Sequence, residues 1–162
     1  MPISPYIADL RAELGHRRLL LPGVTAVVFD DAGRVLLGER ADNGQWALIA
    51  GVMDPGEQPA ETAVREVYEE TAVQVVPERI TSVLTQPTTT YPNGDQCDYV
   101  DITFRCRAVG GEARVNDDES LAVGWFELGD LPPINDLNRR RLEYALTPGA
   151  DAWFSAPAVH QP

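Results

Sequence analysis

Gly51–Val73, GVMDPGEQPAETAVREVYEETAV, is the stretch around which the rest of the chain is organised. Pro59 suits the first turn of a helix, and from Ala60 onward Glu, Ala, Val and Arg favour helix over strand. The spacing predicts a helix reaching about Thr71. At ~100° per residue, Ala60, Ala63, Val64, Val67 and Tyr68 form an apolar stripe, and Glu66, Glu69 and Glu70 gather on the opposite flank. Glutamates three and four apart repel one another, so the cluster wants a counter-charge. Hard oxygen donors suit Mg²⁺ or Mn²⁺, and Mg²⁺ completes its shell with water and substrate phosphate. An isolated ExxEE would read instead as a solvated acidic face.

This ExxEE is not isolated. Gly51, Glu57, Arg65, Glu66, Val67, Glu69, Glu70 and Val73 fall at the spacing of the Nudix box, and the stretch resembles the signature of the Nudix hydrolases. The single departure is Ala72, where the family has glycine. If the helix ends there on a left-handed residue, alanine costs about 1–2 kcal/mol relative to glycine. The resemblance implies an α+β fold with a mixed β-sheet sandwiched between helices. It also implies hydrolysis of a nucleoside diphosphate linked to another group.

Water attack on a diphosphate adds a nucleophile to an anionic centre, so catalysis needs charge neutralisation and a proton acceptor. Cations held by Glu66, Glu69 and Glu70 would supply the first, and Glu69 or Glu119 the second. Glu57 and Arg65 are expected to form a positioning pair through the guanidinium fork. By resemblance, the Ala50 main-chain carbonyl is a further metal ligand. Glu119, ahead of Trp125-Phe126, stands where some members place another metal-binding or basic glutamate, with Asp118 as its rival. Arg40 resembles a substrate-contacting arginine, and Trp46 could stack on a base; a solvated strand-end arginine and a core tryptophan are the plainer readings.

Outward from the signature, Gly23–Phe29 and Arg34–Arg40 read as a β-hairpin around Asp30–Gly33, and Trp46–Ala50 as a short strand. Beyond it, Val73–Val76, Ile80–Thr85, Asp98–Val109 and Leu121–Glu127 read as strands. Gln86–Gln96 carries an Asn93-Gly94 turn signal and is either a hairpin tip or a substrate loop; Tyr91 and Asp95 are its candidate binding residues. Ile3–Leu14 reads as an amphipathic helix or arm, and Ile134–Leu146 as a packing helix whose Arg139–Arg141 could contact phosphate, exposed helix arginines being the commoner reading. The division expected is an arm over 1–22, a catalytic domain over 23–147 and a tail over 148–162, with Trp153-Phe154 anchoring the tail. His16 reads as a surface residue, and His160 has no discernible role.

A chain of 162 residues fits one catalytic domain. Its formal net charge of −12 argues against a nucleic-acid polymer or an anionic membrane as partner. The expected partner is a small nucleotide, and family resemblance makes a homodimer an open expectation. Cys97 and Cys106 follow no metal-ligand or redox spacing, which with the lack of a long apolar run points to free thiols in the cytoplasm. Two other classes compete: a non-catalytic nucleotide-binding regulatory module, favoured by loss of a carboxylate, and a prenyl diphosphate isomerase, for which no Cys and Glu pair can be placed. Substrates from 8-oxo-dGTP to ADP-ribose, nucleotide sugars and dinucleotides stay open.

Overall fold

The run from Val24 to Phe29 is apolar on both sides of the strand, a pattern that demands cover on both faces. In the computed structural model, which describes residues 4–149 and 151–157, that cover is supplied by two helices. Strand β1 (Leu19–Phe29) turns Val24, Ala26 and Val28 towards α2 (Pro59–Thr71), where they pack with Ala63, Val67 and Val73. Val27 and Phe29 face the other way, into a second core with Leu142 and Ala145 of α3 (Asp136–Leu146).

The neighbour of β1 on one side is β7 (Gln96–Gly110), paired in parallel from Leu19 with Cys97 to Phe29 with Arg107. Beyond β7 lies β5 (Gln74–Thr85), antiparallel to it. The expected hairpin is only a single pair: β1 meets β2 (Val35–Arg40) at Phe29 and Val35, and the two then diverge. The segment read as one strand, Trp46–Ala50, splits to fill that divergence. Trp46–Ala47 (β3) pairs with β2, and Ile49–Val52 (β4) pairs with β1. β8 (Ser120–Phe126) runs along the outer side of β2, with a bulge between Glu39 and Arg40. The short β6 (Thr89–Thr90) pairs with β7, and β9 (Trp153–Phe154) pairs with β5.

Several expectations are corrected. β1 begins at Leu19, four residues earlier than the sequence suggested, because Leu19–Pro22 pair with the start of β7. The two runs read as separate strands, 73–76 and 80–85, are one strand with register shifts at Pro77/Arg79 and Ile80/Ser82. Helix α2 buries Thr62, Ala63, Val67, Glu70 and Thr71, while Val64 and Tyr68 are exposed. Arg141 is buried, unlike its neighbours Arg139 and Arg140; its Nη2 lies 2.9 Å from Asp101 Oδ2 under α3.

At its N-terminus, α1 (Pro5–Leu14) buries none of its side chains fully. Arg11 ties it to β7 by donating to the Gln96 carbonyl. The tail strand is seated by Trp153, which stacks on Tyr144 with ring centroids 4.9 Å apart. His160 lies outside the described residues. No helix among the described residues is long and apolar enough to cross a membrane.

Candidate active site

The start of α2 is fixed by its own acids. Pro59 occupies the first turn, and the Glu61 carboxylate accepts the Gln58 N–H at 2.8 Å, filling one donor that a helix start leaves unpaired. Glu57 just ahead accepts from the Asp54 N–H and the Thr62 hydroxyl. It also takes Arg65 in a fork, Nε at 2.6 Å and Nη2 at 2.9 Å. That guanidinium, above all, holds the Glu57 carboxyl down at about 2. Arg65 reaches further, donating to the Val52 carbonyl and, through Nη1, to Glu66 at 2.8 Å and Glu69 at 3.0 Å. It is the hub of the acidic face.

The three glutamates do not share one environment. Glu66 lies over Gly51 of β4, where the carboxylate fills the space a side chain would take. Burial, opposed by Arg65 and assisted by Glu69 and Glu119, pushes Glu66 up to about 7. Glu70 is deeper, 9% exposed, with Oε2 beside Gly38 of β2. Burial and then the charges of Glu66, Glu119 and Asp117 push it up to about 9. Glu69 is 53% exposed on the flank. The expected grouping of all three on the flank opposite the apolar stripe is therefore corrected: Glu66 and Glu70, one turn apart, border the buried stripe.

Glu119 reaches the same place from the loop before β8. Its N–H is held by Asp117 Oδ1 at 3.0 Å, and its carbonyl accepts the Ala41 N–H at 2.8 Å. Burial and then Asp117 raise its carboxyl. Glu70, Glu119, Arg40, Ala50 and Ser120 line a single cleft in the gap where β2 and β4 diverge. Asp117 was missed by sequence reasoning, which weighed Asp118 as the rival of Glu119. Asp118 is exposed, whereas half-buried Asp117 acts on both Glu70 and Glu119.

The candidate substrate residues divide. Arg40 lines the cleft, with its Nε and Nη2 forked to Asp42 at 2.9 and 2.7 Å. Trp46 meets Phe126 edge-on with centroids 4.8 Å apart and packs against the second core. Tyr91 bonds the Tyr99 hydroxyl at 2.7 Å in the loop joining β6 and β7. Asp95 is buried in that loop and bound by His16 at 2.8 Å, Asn93 at 2.9 Å and Arg11 at 3.4 Å. His16 is exposed, as the sequence suggested, and has Asp95 as its partner.

The donor set fits a hard divalent cation. Burial above all raises the Glu66 and Glu70 carboxyls, Glu70 has no cation bonded to it among the described residues, Gly51 and Gly38 leave room beside the pair, and Mg²⁺ needs only one or two such ligands. Among the described residues no three acidic side chains form a ready-made cage, and Arg65 is bonded to both Glu66 and Glu69.

The model of the NUDIX domain family matches residues 19–146 of this chain. The chain belongs to the NUDIX family. A MutT-like protein of Streptomyces ambofaciens is 39% identical over 103 residues, 64% of this chain and 61% of that protein. A Bacillus subtilis (strain 168) protein provisionally named as an 8-oxo-dGTP diphosphatase is 30% identical over 119 residues, 74% of each chain. Among solved structures, an ADP-ribose pyrophosphatase from Streptococcus suis 89-1591 superposes with a TM-score of 0.64 at 25% identity, covering 82% of this chain and 96% of that one. Within the NUDIX frame the Ala72 departure has a physical form. Ala72 caps α2 at φ 58°, the only non-glycine residue with positive φ among the described residues.

Proposed function

We propose that this NUDIX protein is a Mg²⁺- or Mn²⁺-dependent pyrophosphohydrolase acting on a nucleoside diphosphate linked to another group. One observation carries this reading: Glu66 and Glu70 of the signature helix and Glu119 of a separate loop repel one another at one buried edge, where Glu70 and Glu119 share a cleft with Arg40. A cation bound there would neutralise the diphosphate and acidify its water. Glu66, Glu69, Glu70 and Glu119, with the Ala50 carbonyl, are the residues to hold it. Glu69, the most exposed of the trio, can accept a proton; Glu119 is the other candidate base. Arg65 and Glu57 fix the orientation of Glu66 and Glu69, and Arg40 is the cation in the cleft wall available to a phosphate oxygen.

The substrate belongs to the range that its relatives span, from 8-oxo-dGTP to ADP-ribose. Buried free thiols at Cys97 and Cys106 suit a reducing compartment, and we place the protein in the cytoplasm. A panel of nucleotides with Mg²⁺ or Mn²⁺ and product separation tests the reading. Nucleoside monophosphate plus pyrophosphate identifies a triphosphate substrate; monophosphate plus a sugar phosphate identifies a diphosphate conjugate. Glu69→Gln should lower turnover by orders of magnitude in a folded protein, and unchanged turnover removes Glu69 from the chemistry. Binding of nucleotide without turnover of any member would favour the regulatory module instead.

A further inference from the structure

The C-terminal end of α2 leaves carbonyls without helical partners and has no basic residue in its last turn. The donors come from far along the chain. The Arg114 N–H bonds the Thr71 carbonyl at 3.1 Å, and the Asn116 N–H bonds the carbonyl of Glu70 itself at 3.2 Å. Asn116 Nδ2 then donates to the Tyr68 carbonyl at 3.0 Å, which also accepts the Ala72 N–H. The approach is close: a Cβ on Gly111 would overlap the Ala72 carbonyl oxygen, and Gly111 has φ +83°.

Directly after Asn116 come Asp117, Asp118 and Glu119. The next fixed point is the bond from the Ala41 N–H to the Glu119 carbonyl. The acidic loop is thus pinned at both ends, to the last turn of α2 and to the end of β2. It needs pinning, because like charges on the loop and on Glu66 and Glu70 push it away from the helix.

We propose that Asn116 is the positioning residue for Glu119. Its two bonds to α2 hold the loop carboxylate in register with Glu66 and Glu70, so that one cation can engage donors from both elements. Loss of the side chain leaves the backbone pins but frees the loop to swing outward. The inference rests on the proposed role of Glu119 as a ligand.

The test is Mn²⁺ affinity, measured on the full chain without substrate by the electron paramagnetic resonance of free Mn²⁺. The forms compared are wild type, Asn116→Ala, Glu119→Gln and the double variant, each checked for folding by circular dichroism. Asn116→Ala should weaken Mn²⁺ binding about 10-fold, the scale of losing an outer support of a metal ligand. In the Glu119→Gln background the same change should have less than about a twofold effect, because the carboxylate it positions is gone. A purely structural asparagine would lower the melting temperature and weaken binding equally in both backgrounds, which overturns the proposal. So does wild-type affinity in Asn116→Ala. Should Asn116→Ala not fold, Asn116→Ser is compared under the same criteria. If Glu119→Gln binds Mn²⁺ as tightly as wild type, the ligand role of Glu119 fails and this inference with it. If Glu119→Gln binds weakly while Asn116→Ala is unaffected, only the inference fails.

Discussion

Gly51→Ala separates the site from the fold. A Cβ built on Gly51 would lie 2.5 Å from Glu66 Oε2 and nearer still to its Cδ and Oε1. Ordinary contact needs about 3.5 Å and Cδ starts at 1.9 Å, so the carboxylate must retreat by about 1.6 Å. What yields is the far end of a side chain and not backbone, and Gly51 is not among the positive-φ glycines, so alanine fits the strand conformation. Stability should therefore change by no more than about 1 kcal/mol. The retreat also pulls Glu66 from Arg65 Nη1, 2.8 Å away, which leaves the hub free to turn towards Glu69. Misplacement by about 1 Å commonly costs about 100-fold in rate. The assay is steady-state turnover of the substrate found in the nucleotide panel at saturating Mg²⁺, paired with urea unfolding. Gly129→Ala, at a position with nothing within 4 Å, is the control and should alter neither. Turnover of Gly51→Ala within about threefold of wild type, in a protein of normal stability, would refute the placement of Glu66 in the chemistry.

Titration gives a second test. Glu66 near 7 and Glu70 near 9 both lie above their ordinary 4.5, so the folded state holds these protons more tightly than the unfolded chain. The metal-free protein therefore loses stability as pH rises from about 4.5 through those values, and a cation must displace the protons to bind. The thermal shift given by Mg²⁺ should grow between about pH 6 and pH 8.5; a flat or shrinking shift contradicts the assignment. Asp101→Asn should cost about 3–5 kcal/mol in urea unfolding, because it leaves the buried Arg141 uncompensated and weakens the acceptor for the Thr25 and Thr103 hydroxyls. A cost below about 1 kcal/mol would show the pair is not what holds α3 on the sheet. Ala72→Val puts a β-branched residue at φ 58° and should destabilise by about 2 kcal/mol or more; a neutral result would mean the helix end rearranges.

The helix at the heart of the site was legible because its signals are local. Pro59 marks its start, and the Glu57 and Arg65 pairing follows from charge and spacing within the stretch. The left-handed turn at Ala72 was legible as well, from the glycine that the pattern wanted there. Strand partners were not. β1 and β7 are joined across a long intervening sequence, and nothing in either run names the other, whereas the adjacent β1 and β2 read as a hairpin yet share one pair. Glu70 was placed with Glu66 and Glu69 on the flank opposite the apolar stripe, although it is buried. Its spacing from Ala63 and Val67 already put it on the buried side, and Gly38 opposite is what gives it room. Arg141 shows the same error: three consecutive arginines look alike, but only one turns under the helix to meet Asp101. Asn116 carried no signal, since its work is done for a helix that ends more than forty residues earlier.

The distribution of charge fixes what the site can accept first. Glu57, Glu66 and Glu69 surround Arg65, and Asp42 occupies two donors of Arg40, while among the described residues Glu70, Glu119 and Asp117 have no cation bonded to them. A nucleoside diphosphate entering this edge alone meets a surplus of negative charge. At about 6 Å in bulk dielectric each like pair costs about 0.7 kcal/mol, and lower local dielectric makes it worse. Two such pairs amount to about a tenfold loss of affinity. The nucleotide should therefore bind with, or after, its cation. A non-hydrolysable analogue titrated in chelator should bind at least about 10-fold more weakly than in Mg²⁺, with the gap narrowing as salt screens the repulsion. Equal affinity in the two conditions would mean the diphosphate does not lie against Glu66, Glu70 and Glu119, and the cleft would have to be assigned to another part of the ligand.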